Sequence, residues 1–269
     1  MAYSHVHKAK RRHFNLKNTY LHNKPIAQKV LAPLLLSICM LLVCSCATWS
    51  SDQASSHATT RQQHSNAPLT YVAIGASDTF GFGTHDPYSQ NWASDLAMKL
   101  GPHYHLVNLG IPSITVHDAL RLELPVALDA HPSLITIWLA VNDITDSVSV
   151  SSYTHDLNTL LASLRAHDPQ ALIAVANVPN ITLLPYFHQP QSPDVHTLQT
   201  QISAYNAAIA TAATRYHAVL IDLSQQNYNL QQHPDFISQD GLHPTAAGYA
   251  QVADVFYLAI QNTLKSRNT

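Results

Sequence analysis

The chain has 269 residues, 46% of them hydrophobic and 11% charged, so it holds enough apolar material for a sizeable core and too little charge for a disordered chain. Its formal net charge of −2 hides an asymmetry: seven of the fourteen basic residues lie in positions 1–29, and from Cys46 onward 7 basic residues face 16 acidic ones, a formal −9. A domain this acidic repels a phosphate backbone, which argues against nucleic-acid binding. The three cysteines, Cys39, Cys44 and Cys46, lie in or beside the N-terminal apolar run, so the rest of the chain has no disulfide framework, thiol nucleophile or cysteine-held metal.

A basic stretch over residues 1–29 precedes the apolar run VLAPLLLSICMLLV of residues 30–43, with small residues after it. That order reads as an export signal over 1–45. Val43-Cys44-Ser45-Cys46 resembles a lipobox, which implies lipidation at Cys46. The alternative is an uncleaved anchor, since Val30 to Trp49 carries no charge and about 20 apolar residues span a bilayer. Both readings put the remainder outside the cytoplasm, tethered to the membrane. Arg11-Arg12 is read as part of the basic flank, being distant from the apolar run. Residues 46–68, rich in Ser, Thr, Gln and Ala, read as a flexible tether.

From residue 69 strand-like and helix-like segments alternate. Tyr71 to Ile74 reads as a strand ending at Gly75, and Asn91 to Leu100 as a helix stopped by Gly101. Strands follow at His105–Leu109, Leu134–Leu139, Ala171–Ala176 and Ala218–Leu223, with helices at Tyr153–Ala166, Val195–Tyr216 and Thr245–Leu264. This alternation predicts one α/β domain over 69–265, a parallel sheet covered on both faces. Ligands of such sheets bind beyond the carboxyl ends of the strands.

Four polar blocks stand at or near those ends. They are Gly75-Ala76-Ser77-Asp78-Thr79, Asn108-Leu109-Gly110, Ala140-Val141-Asn142-Asp143 and Asp240-Gly241-Leu242-His243-Pro244. Each suits one task in acyl transfer. Ser77 is a hydroxyl nucleophile that needs a base, and His243 can supply it. Asp240, three residues earlier, can hold the second ring nitrogen through a turn at Gly241. The N–H groups of Ser77 and Gly110 and the amide of Asn142 are candidate oxyanion donors, with Gly110 leaving room for the acyl group. Asp143 is read as a structural hydrogen-bonding residue, and Pro244 as the first residue of the last helix.

The four blocks together resemble those of the SGNH, or GDSL-type, esterases and lipases, with Ser77, Gly110, Asn142 and His243 in the name-giving positions. The resemblance covers the whole segment 69–265. It implies a three-layer α/β/α flavodoxin-like sandwich with a five-stranded parallel sheet, no metal or other cofactor, and hydrolysis of acyl or acetyl esters. Two positions depart from the pattern: Ala76 stands where the family usually has Asp, with an acid following at Asp78, and Ala140 where it usually has Gly.

Other readings are weaker. The 18 histidines are scattered and H-E-x-x-H is absent, so no metal site is expected. Gly81-Phe82-Gly83 lacks the third glycine of a dinucleotide fingerprint. Ser77 also lacks a G-x-S-x-G setting, because Thr79 occupies the last position. Leu183, Leu184, Tyr186 and Phe187 either line an acyl cleft or pack against the sheet. The expected function is ester hydrolysis on a small-molecule or lipid ester, outside the cytoplasm. Deacetylation of an acetylated glycan, or ligand binding without catalysis, are the alternatives.

Overall fold

A computed structural model describes residues 67–225 and 233–267. The export signal over 1–45, the lipidation site Cys46 and nearly all of the tether over 46–68 lie outside the described residues. Five strands form one parallel sheet: β1 (Leu69–Gly75), β2 (Tyr104–Asn108), β3 (Leu134–Trp138), β4 (Leu172–Ala176) and β5 (Val219–Ile221). Their order is β2-β1-β3-β4-β5, the flavodoxin-like arrangement, with its switch point between β1 and β3.

The apolar runs of the sequence become the central strands because they are covered on both faces. Successive side chains of a strand point to opposite faces, and the core divides accordingly. Val72 and Ile74 of β1, Ile135 and Ile137 of β3, and Ile173 and Val175 of β4 face one layer. That layer holds α6 (Val150–His167) and α7 (Val195–Arg215), which present Leu157, Leu161, Leu198, Ile202 and Ile209. Tyr71, Ala73, Leu134, Trp138, Leu172 and Ala174 face the other layer, formed by α2 (Trp92–Leu100) and α8 (Ala246–Arg267). There Trp92 stacks on Phe256, ring centroids 4.3 Å apart. Each such side chain, fully buried, contributes roughly 1.5–3 kcal/mol.

Local sequence sets the helix ends. Asn91 caps α2 by accepting from the Ser94 N–H at 2.8 Å, and Gly101 ends it with φ 93°. Ser149 and Asp194 cap α6 and α7. The last helix starts at Ala246 rather than at Pro244: Pro244 pairs with Ile237 in an antiparallel bridge, and Thr245 Oγ1 accepts from the Gly248 N–H at 3.3 Å. Two further helices lie between β2 and β3, α3 (Val116–Leu122) and α4 (Leu124–Asp129). Pro125 opens α4 and breaks the helical period there, so the sequence shows no single amphipathic run.

Between those two helices sits Glu123, fully buried. Its Oε1 accepts the N–H of Gly75 at 3.0 Å, at the end of β1, and its Oε2 has no hydrogen-bond partner among the described residues. Burial pushes this carboxyl up from 4.5 to about 8, against the pull of the Gly75 N–H. The folded protein therefore holds a proton that the unfolded chain releases between pH 4.5 and about 8. Stability contributed by the protonated group is full below pH 4.5 and falls as pH rises through that window. Glu123→Gln keeps an acceptor for Gly75 and carries no charge. It is expected to flatten the decline of Tm between pH 5 and pH 9 in thermal melts, and an unchanged decline would assign the slope to other groups.

Candidate active site

The site is assembled at the carboxyl edge of the sheet, astride the switch point. β1 ends at Gly75, and the chain turns at once into a four-residue helix, α1 (Ser77–Phe80). Gly75 has no room for a side chain, since a Cβ would lie 2.0 Å from Thr79 Oγ1 and 2.8 Å from the Trp138 carbonyl. The tight turn lifts Ser77 above the sheet as the first residue of α1.

Ser77, His243 and Asp240 form a continuous relay. His243 Nε2 lies 2.8 Å from Ser77 Oγ, and His243 Nδ1 lies 2.6 Å from Asp240 Oδ2. The other carboxylate oxygen of Asp240 accepts from Ser238 Oγ at 2.8 Å and from the N–H groups of Leu242 and His243 at 2.8 and 2.9 Å. Partial burial would push this carboxyl up. The bonds from Leu242, the His243 ring, the His243 N–H and Ser238 outweigh it and hold Asp240 down at about 2. Asp240 is therefore ionised across the neutral range and aligned on the imidazole.

The loop that carries His243 is braced on several sides. Its ends meet through the Ile237–Pro244 bridge and the Ser238 N–H to His243 carbonyl bond of 2.8 Å. The Tyr186 N–H donates to the Gly241 carbonyl at 3.1 Å. The Phe82 ring leans on the imidazole, centroids 4.8 Å apart, while Tyr249 Oη donates to the Phe82 carbonyl at 2.7 Å. Gly83 packs so closely on this loop that a Cβ would meet the Pro244 carbonyl at 2.8 Å. The Gly81-Phe82-Gly83 run is thus a turn fitted against the histidine loop.

Asn142 lies in α5 (Val141–Thr145), directly after β3. Its Nδ2 donates to the Ile114 carbonyl at 2.9 Å, which orients the amide. Asp143 beside it is buried, and its carboxylate accepts from the Val116 N–H at 3.2 and 3.3 Å, the structural role expected of it. Burial lifts that carboxyl to about 6. Ala140 enters α5 with φ 114° while almost fully buried. This backbone suits glycine, so alanine here carries strain.

Gly110 follows β2, and its N–H donates to Asn108 Oδ1 at 2.9 Å. The lack of a side chain answers to packing: a Cβ at Gly110 would lie 2.3 Å from the Phe80 nitrogen. Glycine lets this loop press on α1 behind Ser77. Asn108 completes the brace by donating from Nδ2 to the Thr79 carbonyl at 2.7 Å. Three residues after Gly110, Ser113 adopts a left-handed backbone with φ 65°.

The cleft beside Ser77 is mostly apolar. Ile181, Leu183, Leu184, Ile237, Leu242 and Val252 contribute to its walls. The 179–193 loop thus divides its labour. Leu183 and Leu184 line the cleft, whereas Phe187 is buried in the core and Tyr186 is half exposed outside the lining. Ala76, almost fully buried, joins the apolar core at the cleft wall, where a carboxylate would be largely desolvated.

Asp78 lines the same cleft. Burial raises its carboxyl to about 6, with His243 pulling it down and Asp240 pushing it up. Sequence reading noticed this acid but gave it no role, because only the structure shows which way it faces. Glu123 escaped notice because nothing in its neighbourhood of sequence distinguishes it from a surface glutamate.

Solved structures of the same fold carry hydrolase names. A psychrotrophic esterase, EstA, from Pseudoalteromonas sp. is 18% identical, with TM-score 0.58 over 73% of this chain and 99% of that one. A lipase/acylhydrolase from Enterococcus faecalis is 19% identical, with TM-score 0.59 over 72% and 96%. A family 3 carbohydrate esterase from Clostridium thermocellum is 17% identical, with TM-score 0.59 over 75% and 100%. No curated protein sequence matches the chain. The model of the GDSL-like lipase/acylhydrolase family matches residues 73–251, from β1 through the turn at Ser77 into α8. The chain therefore belongs to the GDSL-like lipase/acylhydrolase family and is a hydrolase of ester bonds.

Proposed function

We propose that the protein cleaves carboxylic esters through an acyl-enzyme on Ser77, outside the cytoplasm and tethered to the membrane by its N-terminal segment. The observation that carries the reaction is the relay itself, with 2.8 Å from Ser77 Oγ to His243 Nε2 and 2.6 Å from His243 Nδ1 to Asp240. The basic stretch, apolar run and Cys46 support the location.

Ser77 Oγ attacks the ester carbonyl as its proton passes to His243 Nε2. Asp240 holds the imidazole by Nδ1 and stabilises the imidazolium. The negative charge on the carbonyl oxygen meets the Ser77 N–H, which donates to no other described residue, and the second hydrogen of Asn142 Nδ2, the first being committed to Ile114. Gly110 joins them only by sharing or leaving its bond to Asn108. The carbon–oxygen bond to the alcohol then breaks as His243 protonates the leaving oxygen. Water, deprotonated by His243, attacks the acyl-serine and regenerates the free hydroxyl.

The apolar walls at Ile181, Leu183 and Leu184 favour an acyl chain longer than acetyl. The carbohydrate esterase among the similar structures supports a second reading, removal of acetyl groups from a glycan. Assays of p-nitrophenyl esters from acetate to palmitate separate the two. Turnover is expected to peak beyond acetate and to vanish in Ser77→Ala with the fold intact by circular dichroism. Activity surviving in Ser77→Ala would overturn the mechanism, and activity confined to acetate would favour the glycan reading.

Asn142→Ala removes one oxyanion donor and is expected to lower kcat by about 10²–10³ with a much smaller change in KM. An equal fall in affinity alone would show that Asn142 serves binding.

Asp78 brings an anion to the cleft wall above about pH 6. Esters with a negative charge near the scissile bond are therefore disfavoured at pH 8. Asp78→Asn is expected to raise kcat/KM for a p-nitrophenyl hemisuccinate severalfold relative to the neutral butyrate. A constant ratio would remove Asp78 from substrate selection.

A further inference from the structure

We propose that His131, His167 and Asp168 form a binding site for a zinc-class divalent metal ion on the sheet edge opposite the esterase site. His131 lies in the turn between α4 and β3, while His167 ends α6 and Asp168 caps it. Both segments lead into the amino ends of neighbouring strands, β3 and β4, whereas Ser77, Asn142 and His243 gather at the carboxyl edge.

Three observations define the site. His131 Nδ1 lies 3.6 Å from Asp168 Oδ1, and His167 Nδ1 lies 3.1 Å from Asp168 Oδ2. One ligand atom from each of the three residues lies within 4.8 Å of the others. A tetrahedral ion with bonds of about 2.0–2.1 Å spaces its ligands about 3.4 Å apart, so small side-chain shifts close the set. The two imidazoles are nearly parallel, at 20° with centroids 5.0 Å apart.

Backbone geometry holds the donors in place. His131 occupies a left-handed conformation with φ 44°, its N–H turned to the Leu128 carbonyl at 3.3 Å. The Asp168 N–H donates to the Leu164 carbonyl and its own carbonyl accepts from the Ala171 N–H, each at 3.0 Å. The carboxylate is the buried member, with 14% of its side chain exposed, and the histidines at 72% and 39% leave the approach open.

The chemistry selects the ion. Two imidazoles and one carboxylate suit Zn²⁺, Ni²⁺ or Cu²⁺ rather than the all-oxygen sets of Mg²⁺ and Ca²⁺. Water completes the coordination from the exposed side. A bound ion joins the α4–β3 turn to the end of α6 and takes no part in ester cleavage. Without metal, the same geometry is two imidazoles sharing one carboxylate.

The test uses the full chain, free of any affinity tag and with Cys39, Cys44 and Cys46 alkylated. Zinc chloride is titrated calorimetrically into the wild type, His131→Asn and His167→Ala. Asparagine tolerates the left-handed backbone at 131, and both histidines are exposed, so neither variant is expected to unfold. The tightest binding step is expected to have a stoichiometry near one and to weaken by at least about tenfold in each variant. Tm of the wild type alone is expected to rise with zinc, while p-nitrophenyl butyrate turnover at one equivalent stays within about twofold. A tightest step unaltered in either variant, or no saturable binding by the wild type, would overturn the site.

Discussion

The hydrogen bond between His243 Nε2 and Ser77 Oγ joins residues 166 apart in sequence, and the rest of the site depends on it. Neither partner reaches the other by local structure. Ser77 is raised by the turn at the end of β1, which tolerates no side chain at Gly75 and is tied from beneath by Glu123. His243 is delivered by a loop closed at Ile237–Pro244 and leaned upon by Phe82, Gly83 and Tyr186. The braces on the loop come from the segment after the nucleophile, from the 179–193 loop and from α8. A positional error of 1 Å at such a relay is costly in rate, which accounts for the density of supporting contacts.

The parallel sheet was legible because its strands are short apolar runs between helical periods. β3, Leu134 to Trp138, is buried at every position and reads as such. Helices α2 and α7 were legible from apolar spacing, α2 also from Gly101, and α6 and α8 as helical segments alternating with the strands. The pair α3 and α4 was not, because Pro125 interrupts the period and each helix is too short to show a face. Pro244 misled in the opposite direction. A proline before an apolar helix suggests a first helical position, but the β-bridge to Ile237 uses this residue to close the histidine loop.

Within the site, residue type marked the groups proposed to react and concealed those that hold them. Ser77, Asp240 and His243 stand out because few arrangements of these side chains have another use. Gly110 shows the limit. A glycine beside a strand end answers to oxyanion binding and to close packing alike, and the packing requirement is visible only in the structure, where a Cβ would lie 2.3 Å from the Phe80 nitrogen. Ala140 is the converse case. A backbone at φ 114° calls for glycine, and the alanine found there shows the local fold to be held by its surroundings, with Asn142 tied to Ile114 and Asp143 to Val116.

Three carboxyl groups near Ser77 show how environment assigns roles to one chemical group. Asp240 accepts four hydrogen bonds and stays ionised, with its charge committed to the imidazole. Glu123, buried with a single backbone donor, keeps its proton near neutrality and acts as an uncharged strut under the turn. Asp78 lies between them, facing the cleft and titrating near 6. A second fixed anion close to the relay would compete with Asp240 for the imidazolium if it were as well solvated as Asp240. Its burial weakens that competition at low pH and leaves it in force above 6. The family pattern puts its acid two positions earlier, at Ala76, which in this chain joins the apolar core at the cleft wall. With the acid at position 78 instead, the substitution pattern that sets this chain apart places a carboxyl lifted to about 6 by burial on the cleft wall beside Ser77.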